Sequence, residues 1–229
     1  MTIFISKDEQ DLGTIPLFLK GMGVNLIHRS LIKFEKVFFE FPSDFEVVFF
    51  PSIRAAQFIL ESNELNIDSY VLACSGSQTN ERLEDLGHSC QFIGKNAGSP
   101  DQVSRDFSSW LGNRRVFIPH SNRSVLSITS HIPNQQVVRS VVYNTILSDA
   151  IIEWSDIYVF SSPSNIDSFF KKNKLKKDSL VIVWGQTSAM SLLNYGKRAD
   201  FILQYGTLQE LQSLFDELIE SSKTMDSLK

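Results

Sequence analysis

An internal repeat is the feature of this 229-residue sequence that most restricts its fold. Two stretches, 47–94 and 157–203, share one order of strand-like run, serine-rich turn, helix-like stretch, strand, glycine turn, helix and strand. Gly76 and Gly87 are 11 residues apart, and so are Gly185 and Gly196. This match predicts two similar domains. The alternative is that unrelated βα units share glycine at helix ends and serine or threonine at helix starts.

The predicted strands of the repeat are continuous apolar runs. VVFFP at 47–51, IYVFSS at 157–162 and LVIVW at 180–184 show no strict alternation of apolar and polar residues. Strands of this kind are buried on both faces, as in parallel sheets that are covered by helices. The last predicted strands of the two copies are SCQFIG at 89–94 and DFILQ at 200–204. Helices are predicted at 52–62, from Ser99-Pro100 to about Leu111, and after a capping box at 207–210. We therefore predict an α/β fold with parallel sheets flanked by helices.

Composition and missing motifs argue against several classes of protein. A net charge of −4 does not suit a nucleic-acid binder that relies on bulk charge. The longest apolar runs are strand-sized and the N-terminus turns acidic within ten residues, so we expect no membrane span, no signal peptide and a cytoplasmic location. The two cysteines, Cys74 and Cys90, and the four histidines show no metal-ligand spacing, so no metal site is expected.

Four polar turns follow predicted strands and lead into predicted helices, at 51–54, 75–79, 161–165 and 185–188. Open α/β sheets bind ligands at the carboxyl ends of their strands, and helix N-termini favour anions. Arg54 and Arg123 lie near such turns. If the turns face a cleft shared by the two domains, they form a receptor for carboxylates or phosphates. The alternative is that each serine or threonine only caps its helix and each arginine is a surface residue.

Six short motifs occur in a fixed order along nearly the whole chain. They are Phe-Pro-Ser-Ile-Arg-Ala-Ala at 50–56, Ser-Gly-Ser-Gln-Thr at 75–79, Pro-His-Ser-Asn-Arg at 119–123, Val-Tyr-Asn-Thr at 142–145, Phe-Ser-Ser-Pro-Ser at 160–164 and Gly-Gln-Thr-Ser-Ala at 185–189. This ordered set resembles the uroporphyrinogen-III synthase family. The chain departs from the family pattern at Ser6-Lys7, where Thr-Arg is usual, at Pro51, where threonine is usual, and at Gln186, where proline is usual.

The resemblance implies a fold of two similar α/β domains that are joined by a two-stranded linker. One domain would be discontinuous and comprise residues 1–33 and 146–229. The other would be inserted into it and comprise residues 37–142. The linkers would lie near 34–36 and 143–145.

The resemblance also implies an activity. Such an enzyme is a cofactor-free hydro-lyase of tetrapyrrole (haem) biosynthesis that cyclises hydroxymethylbilane with inversion of ring D and loss of water. Tyr143 is the implied catalytic residue, as an acid or hydrogen-bond donor to the departing hydroxyl; an aromatic side chain packed in a strand is the other interpretation. The implied substrate-binding residues are Ser52, Arg54, Gly76, Thr79, Arg123, Ser162, Ser164, Gly185, Thr187 and Ser188.

The expected partner is hydroxymethylbilane, with a transient hand-over from porphobilinogen deaminase. We expect a monomer that binds neither nucleic acid nor membrane. Two alternatives stay open at this point. The chain could be a non-catalytic, small-molecule-binding relative of the family, which would keep the cleft and lack turnover, or a homodimeric structural module, which would need an apolar patch.

Overall fold

The computed structural model describes residues 1–62, 66–95 and 99–226, with side chains described up to residue 221. The chain divides into two compact units. Unit 1 comprises Met1–Lys33 and Leu147–Lys229, and unit 2 comprises Phe34–Ile146. The chain therefore leaves unit 1 once and returns to it once. Within the described residues, no helix combines the length and the apolar character that crossing a membrane requires.

The described residues contain eleven strands and seven α-helices. In chain order they are β1 (Thr2–Ile5), α1 (Ile15–Gly21), β2 (Asn25–His28), β3 (Ile32–Lys36), β4 (Val47–Phe50), α2 (Ile53–Leu60), β5 (Val71–Cys74), α3 (Ser77–Glu84), β6 (Phe92–Ile93), α4 (Pro100–Leu111), β7 (Val116–Ser121), β8 (Val137–Leu147), β9 (Ile157–Phe160), α5 (Pro163–Lys172), β10 (Leu180–Val183), α6 (Gln186–Leu193), β11 (Phe201–Ile202) and α7 (Leu208–Asp226).

Unit 1 is built around a parallel sheet with the strand order β11-β10-β9-β1-β2. Its central strands are buried on both faces. Ile3 and Ile5 of β1 belong to one core cluster, while Phe4 between them packs in another cluster with Tyr158 and Phe160. This double burial explains why the strands appear in the sequence as unbroken apolar runs.

Unit 2 contains a six-stranded sheet with the order β3-β8-β7-β4-β5-β6. Its β7–β8, β4–β7, β4–β5 and β5–β6 pairs are parallel. Val48 and Phe50 of β4 face one core cluster, and Val47 and Phe49 face the other. The predicted α/β fold with parallel sheets flanked by helices is confirmed.

The repeat seen in the sequence corresponds to two βαβαβ segments. The segment β4-α2-β5-α3-β6 in unit 2 has the same order of elements as β9-α5-β10-α6-β11 in unit 1, and in each its strands are neighbours in the sheet. Gly87 and Gly196 follow α3 and α6 with φ values of 87° and 65°. A residue without a side chain adopts this left-handed conformation without steric cost, which explains one half of the shared glycine spacing.

Some predicted details of the elements were wrong. The strand predicted at 89–94 is reduced to Phe92–Ile93, and the strand predicted at 200–204 to Phe201–Ile202. Both are edge strands of their sheets, so each pairs with one neighbour only. The helix predicted to begin with Pro100 does so, but the Ser99 side chain accepts no capping hydrogen bond.

Candidate functional site

Two of the predicted site serines cap helices, one in each unit. Ser52 Oγ accepts a hydrogen bond from the Ala55 N–H at 3.3 Å, and Ser162 Oγ accepts one from the Asn165 N–H at 3.3 Å. A hydroxyl has one donor in addition to its acceptor sites. Capping therefore leaves each serine with an O–H that can still be donated to an anion at the same helix N-terminus.

The two glycine turns have the same backbone construction. The Thr79 N–H donates to the Gly76 carbonyl at 3.1 Å, and the Ser188 N–H donates to the Gly185 carbonyl at 3.1 Å. The side chains of Thr79 and Ser188 are only 8% and 3% exposed, whereas Thr187 is exposed. The first backbone N–H groups of each helix have no carbonyl one turn before them within the helix. They are therefore the groups that these turns offer to an anion.

The turn after β9 is tied to the end of β1. The Ser161 N–H donates to Ser6 Oγ at 2.8 Å, and Ser161 Oγ donates to the Ser6 carbonyl at 2.8 Å. The Asn165 amide group donates to Ser161 Oγ at 3.2 Å and to Ser162 Oγ at 3.1 Å. Ser164 lies in the first turn of α5 and is partly exposed. Hydrogen bonds thus fix the serine hydroxyls of unit 1 in position.

Lys7 is a basic residue at this edge of unit 1 that the predicted set of site residues did not include. Its ammonium lies 4.9 Å from the centre of the ring of Trp184, which is the residue directly before Gly185 in the sequence. Burial lowers the pKa of Lys7, and the charge of Asp11 partly opposes this effect. Within the described residues, no carboxylate is within ion-pair distance of the ammonium. The family pattern, which has Thr-Arg at Ser6-Lys7, indicated a basic residue here, but nothing in the sequence indicated its contact with Trp184.

Tyr143 lies in an aromatic cluster of unit 2. Its ring stacks on Phe58 at 5.0 Å and meets the edge of Phe34 at 5.6 Å between centroids. The Arg54 guanidinium lies 4.5 Å from the centre of the Phe34 ring, and its Nη1 donates to Gln57 at 3.1 Å. We call Arg54, Phe34, Tyr143 and Phe58 the tyrosine cluster. Tyr143 is 7% exposed, and its hydroxyl makes no hydrogen bond to any described residue.

A β-bulge between β7 and β8 sets the direction of Tyr143. His120 is opposite Val141, but the next residue of β7, Ser121, is opposite Tyr143. Val142 and Tyr143 consequently belong to the same core cluster, although neighbouring side chains of a regular strand point to opposite faces. The bulge therefore turns the phenol toward α2 and Phe58.

Asn122 holds β8 at this tyrosine and at the second residue after it. Its N–H donates to the Tyr143 carbonyl at 3.3 Å, and its side-chain oxygen accepts from the Thr145 N–H at 2.8 Å. Arg123 follows in the same turn, is exposed, and donates its N–H to Ser121 Oγ at 3.2 Å. Asn122 was not among the predicted site residues, because its role depends on contacts with a strand that is distant in the sequence.

The predicted residues therefore fall into two groups. Unit 2 brings Tyr143 and Arg54 together in the tyrosine cluster, with Asn122 joining the Arg123 turn to the Tyr143 strand. The other predicted site residues of unit 2 are Ser52, Gly76 and Thr79, and they belong to the turns that follow β4 and β5. Unit 1 holds the second group at the turns after β9 and β10, and it consists of Ser162, Ser164, Gly185, Thr187 and Ser188.

These features define a two-unit α/β protein whose units each carry helix-opening turns at the carboxyl ends of parallel strands. A family model described as uroporphyrinogen-III synthase HemD matches residues 17–202. The chain therefore belongs to the uroporphyrinogen-III synthase family, as its motifs predicted, and its activity is that of a lyase of tetrapyrrole biosynthesis.

Solved structures support the same fold. The uroporphyrinogen-III synthetase from Helicobacter pylori superimposes with a TM-score of 0.69 at 17% identity, covering 95% of this chain and 99% of that one. A mutant uroporphyrinogen III synthase from Thermus thermophilus superimposes with a TM-score of 0.62 at 11% identity, covering 96% and 99%. A comparison with curated protein sequences found no match.

Proposed function

We propose that this chain converts hydroxymethylbilane into uroporphyrinogen III, with Tyr143 as the catalytic residue and the helix-opening turns of both units as binding sites for the substrate carboxylates. The observation that carries the proposal is the tyrosine cluster. It combines a phenol that makes no hydrogen bond within the described residues with a guanidinium on the neighbouring ring. A proton donor and a cation are two groups that suit the loss of a hydroxyl group, as water, from a carboxylate-rich substrate.

The binding groups are mostly neutral donors. Ser52 and Ser162 donate their hydroxyls while they cap α2 and α5. The first amides of α3 and α6, after Gly76 and Gly185, add backbone N–H groups and the partial positive charge of a helix N-terminus. This kind of receptor suits a chain whose net charge is −4, because it does not depend on an excess of basic residues.

Charged donors strengthen this receptor at three positions. Arg54 and Arg123 in unit 2 supply guanidinium groups that can pair with carboxylates in a bidentate manner. Lys7 supplies an ammonium at the edge of unit 1. The polar side chains of Thr79, Ser164, Thr187 and Ser188 complete the proposed set, with Thr187 the most exposed of them.

Tyr143 acts where the bilane loses its terminal hydroxyl. Its O–H gives its proton to the departing oxygen, which leaves as water, and the N–H of the same pyrrole loses a proton as the azafulvene forms, which restores the phenol. Ring D then attacks through its substituted carbon to form a spiro intermediate, and fragmentation and reclosure leave ring D inverted. The pyrroles supply most of the reactivity, so the protein chiefly fixes geometry. A phenol among aromatic rings donates strongly, because little water competes for it.

The test is Tyr143→Phe in a coupled assay with porphobilinogen deaminase, followed by separation of the product isomers. We expect kcat for the inverted isomer to fall about 10²- to 10⁴-fold, the usual contribution of a general acid, with a much smaller change in KM. Tyr195→Phe is the matched control. That tyrosine is stacked on Phe170 in unit 1 and donates its hydroxyl to Asp167 at 3.0 Å, outside the proposed site.

Unchanged turnover in Tyr143→Phe would refute the acid role. Formation of the uninverted isomer alone by the unaltered chain would refute the synthase assignment itself.

We also propose that the chain acts as a cytoplasmic monomer that receives the bilane directly from the deaminase. Sedimentation of the purified chain would test whether it is a monomer. Co-sedimentation with the deaminase would test the hand-over, because direct transfer requires a complex of the two proteins.

A further inference from the structure

A cleft of unit 1 lies away from the proposed substrate-binding turns. It has a volume of about 590 Å³, and its walls come from the segments before β9, β10 and β11, including Trp154, Lys177 and Lys197. The proposed binding turns follow the carboxyl ends of β9 and β10, so the cleft lies at the opposite end of the same parallel strands. Its volume is within the range of about 300–1,000 Å³ that is usual for sites of small molecules.

The cleft is basic, although the chain as a whole has a net charge of −4. Four basic and two acidic residues line it, namely Lys176, Lys177, Lys197, Arg198, Asp178 and Asp200. All six are exposed. A local excess of positive charge in an acidic protein favours the binding of an anion at this place.

Hydrogen bonds within unit 1 take up much of the negative charge beside the cleft. Asp200 Oδ2 accepts from the Val181 N–H at 2.7 Å. Asp156, directly before β9, accepts from the Thr2 N–H at 2.8 Å and pairs with the Lys176 ammonium. These carboxylates stabilise the starts of the strands, and one of the four basic groups is held by Asp156.

The other three basic groups of the cleft are available to a ligand. Lys177, Lys197 and Arg198 form no ion pair with any residue that the structure describes. A guanidinium binds two oxygens of one phosphate in a bidentate manner, and an ammonium binds phosphate as a point charge. One guanidinium and two ammonium groups in one cleft therefore suit a ligand with more than one phosphate group.

Trp154 gives the same cleft an aromatic wall. It is 65% exposed, yet hydrogen bonds hold its segment on both sides. The Ile152 N–H donates to the side-chain oxygen of Asn173 at 2.7 Å, and the Ser155 N–H donates to the Tyr158 hydroxyl at 3.0 Å. An indole that is exposed on a fixed segment is a platform on which a planar ring can stack.

We propose that this cleft binds a nucleoside diphosphate or triphosphate. The base stacks on Trp154, and the phosphates lie against Lys177, Lys197 and Arg198. A ligand that joins an aromatic ring to a chain of phosphates accounts for both the exposed indole and the free cations. The cleft shares no residue with the proposed bilane site, so the proposal goes beyond the synthase reaction and does not depend on it.

The experiment titrates the full chain with ADP, inorganic pyrophosphate and adenosine by calorimetry at low salt. We expect ADP to bind at least about fivefold more tightly than pyrophosphate, because only ADP stacks on the indole. Trp154→Ala should remove this difference and leave pyrophosphate binding unchanged. Arg198→Gln should weaken ADP binding about tenfold, as the loss of one charge-assisted hydrogen bond predicts.

Two further variants sharpen the test. Lys172→Gln is the matched control, because it removes one exposed charge at the end of α5, outside the cleft, and should leave ADP binding nearly unchanged. Asp178→Asn removes a negative charge from the cleft and should tighten ADP binding about two- to fivefold. Asn tolerates the left-handed conformation of this residue, whose φ is 62°, so the turn should keep its shape.

No heat of binding at millimolar ADP would overturn the proposal. Equal affinities for ADP and pyrophosphate in the unaltered chain would overturn the assignment to a nucleotide. Unchanged ADP binding in Arg198→Gln, or equal losses in Arg198→Gln and Lys172→Gln, would place the anion outside this cleft and also overturn it. None of these titrations uses the bilane, so their outcome is separate from that of the turnover assay with Tyr143→Phe.

Discussion

Asn122→Ala removes the acceptor on which the Thr145 N–H depends, and so tests whether the turn after β7 holds Tyr143 in place. The bond is 2.8 Å long, and Thr145 is 7% exposed, so its amide has little access to water. A typical internal hydrogen bond contributes about 0.5–1.5 kcal/mol, and a buried orphan donor costs more. Because Asn122 itself is exposed, water can partly replace its oxygen. We expect a loss of about 1 kcal/mol in the free energy of unfolding.

The effect on catalysis should be larger than this loss of stability suggests. Asn122 also donates its backbone N–H to the Tyr143 carbonyl, so the turn fixes the strand from Tyr143 to Thr145, directly after the bulge. If the strand relaxes by about 1 Å, the phenol moves from its position and kcat falls by up to about 100-fold, with KM nearly unchanged. Asn122→Asp is the matched control, because it keeps an acceptor oxygen at the same place and should keep most of the activity.

The assay for this prediction combines urea unfolding with the coupled turnover measurement and isomer separation. Equal urea midpoints and equal kcat values for Asn122→Ala and the unaltered chain would refute the reasoning. So would equal losses in Asn122→Ala and Asn122→Asp, because the acceptor would then be irrelevant.

Three further substitutions have directions that the structure determines. Lys7→Met should raise the melting temperature at pH 7, because burial lowers the pKa of Lys7 and so makes the charged side chain costly in the folded protein. This gain should shrink as the pH approaches the ordinary pKa of 10.5, where the lysine folds uncharged at less cost. The same substitution should raise KM. The Lys176 ammonium, and then the Thr2 N–H, lower the pKa of Asp156, so the unaltered chain loses stability as the pH falls below the ordinary carboxyl pKa of 3.8. In Asp156→Asn, the urea midpoint should therefore fall less between pH 7 and pH 3 than it does in the unaltered chain. Gly94→Ala should cost about 1–3 kcal/mol in urea unfolding, because its Cβ would lie 2.3 Å from the Ser75 carbonyl oxygen.

The sequence was informative wherever one local pattern determines the structure. Val47–Phe50 appears as an unbroken apolar run because each of its side chains is buried, two against each face of the sheet. Ser52 and Ser162 precede helices and cap them, as serine does at this position in general. These local rules were sufficient for the α/β fold and for the places of the turns.

The rest depends on contacts between segments that are far apart in the sequence. The bulge that directs Tyr143 depends on the register between β7 and β8, to which a hydrogen bond between Asn122 and Thr145 contributes. The position of Lys7 over Trp184 joins residues 177 positions apart. Neither relation leaves a periodicity or a motif, so the anion-suited turns could be predicted and the geometry around the phenol could not.

The place of β1 in its sheet has a consequence for how the chain folds during synthesis. β1 lies between β2 and β9, and Ile3 is opposite Ile157. The sheet of unit 2 needs only residues 32–147, so it can be completed while β9 is still unmade. Until then β1 keeps an unpaired apolar edge, which other chains can join. Slow or damaged synthesis between β2 and β9 should therefore be followed by aggregation that begins at the first strand.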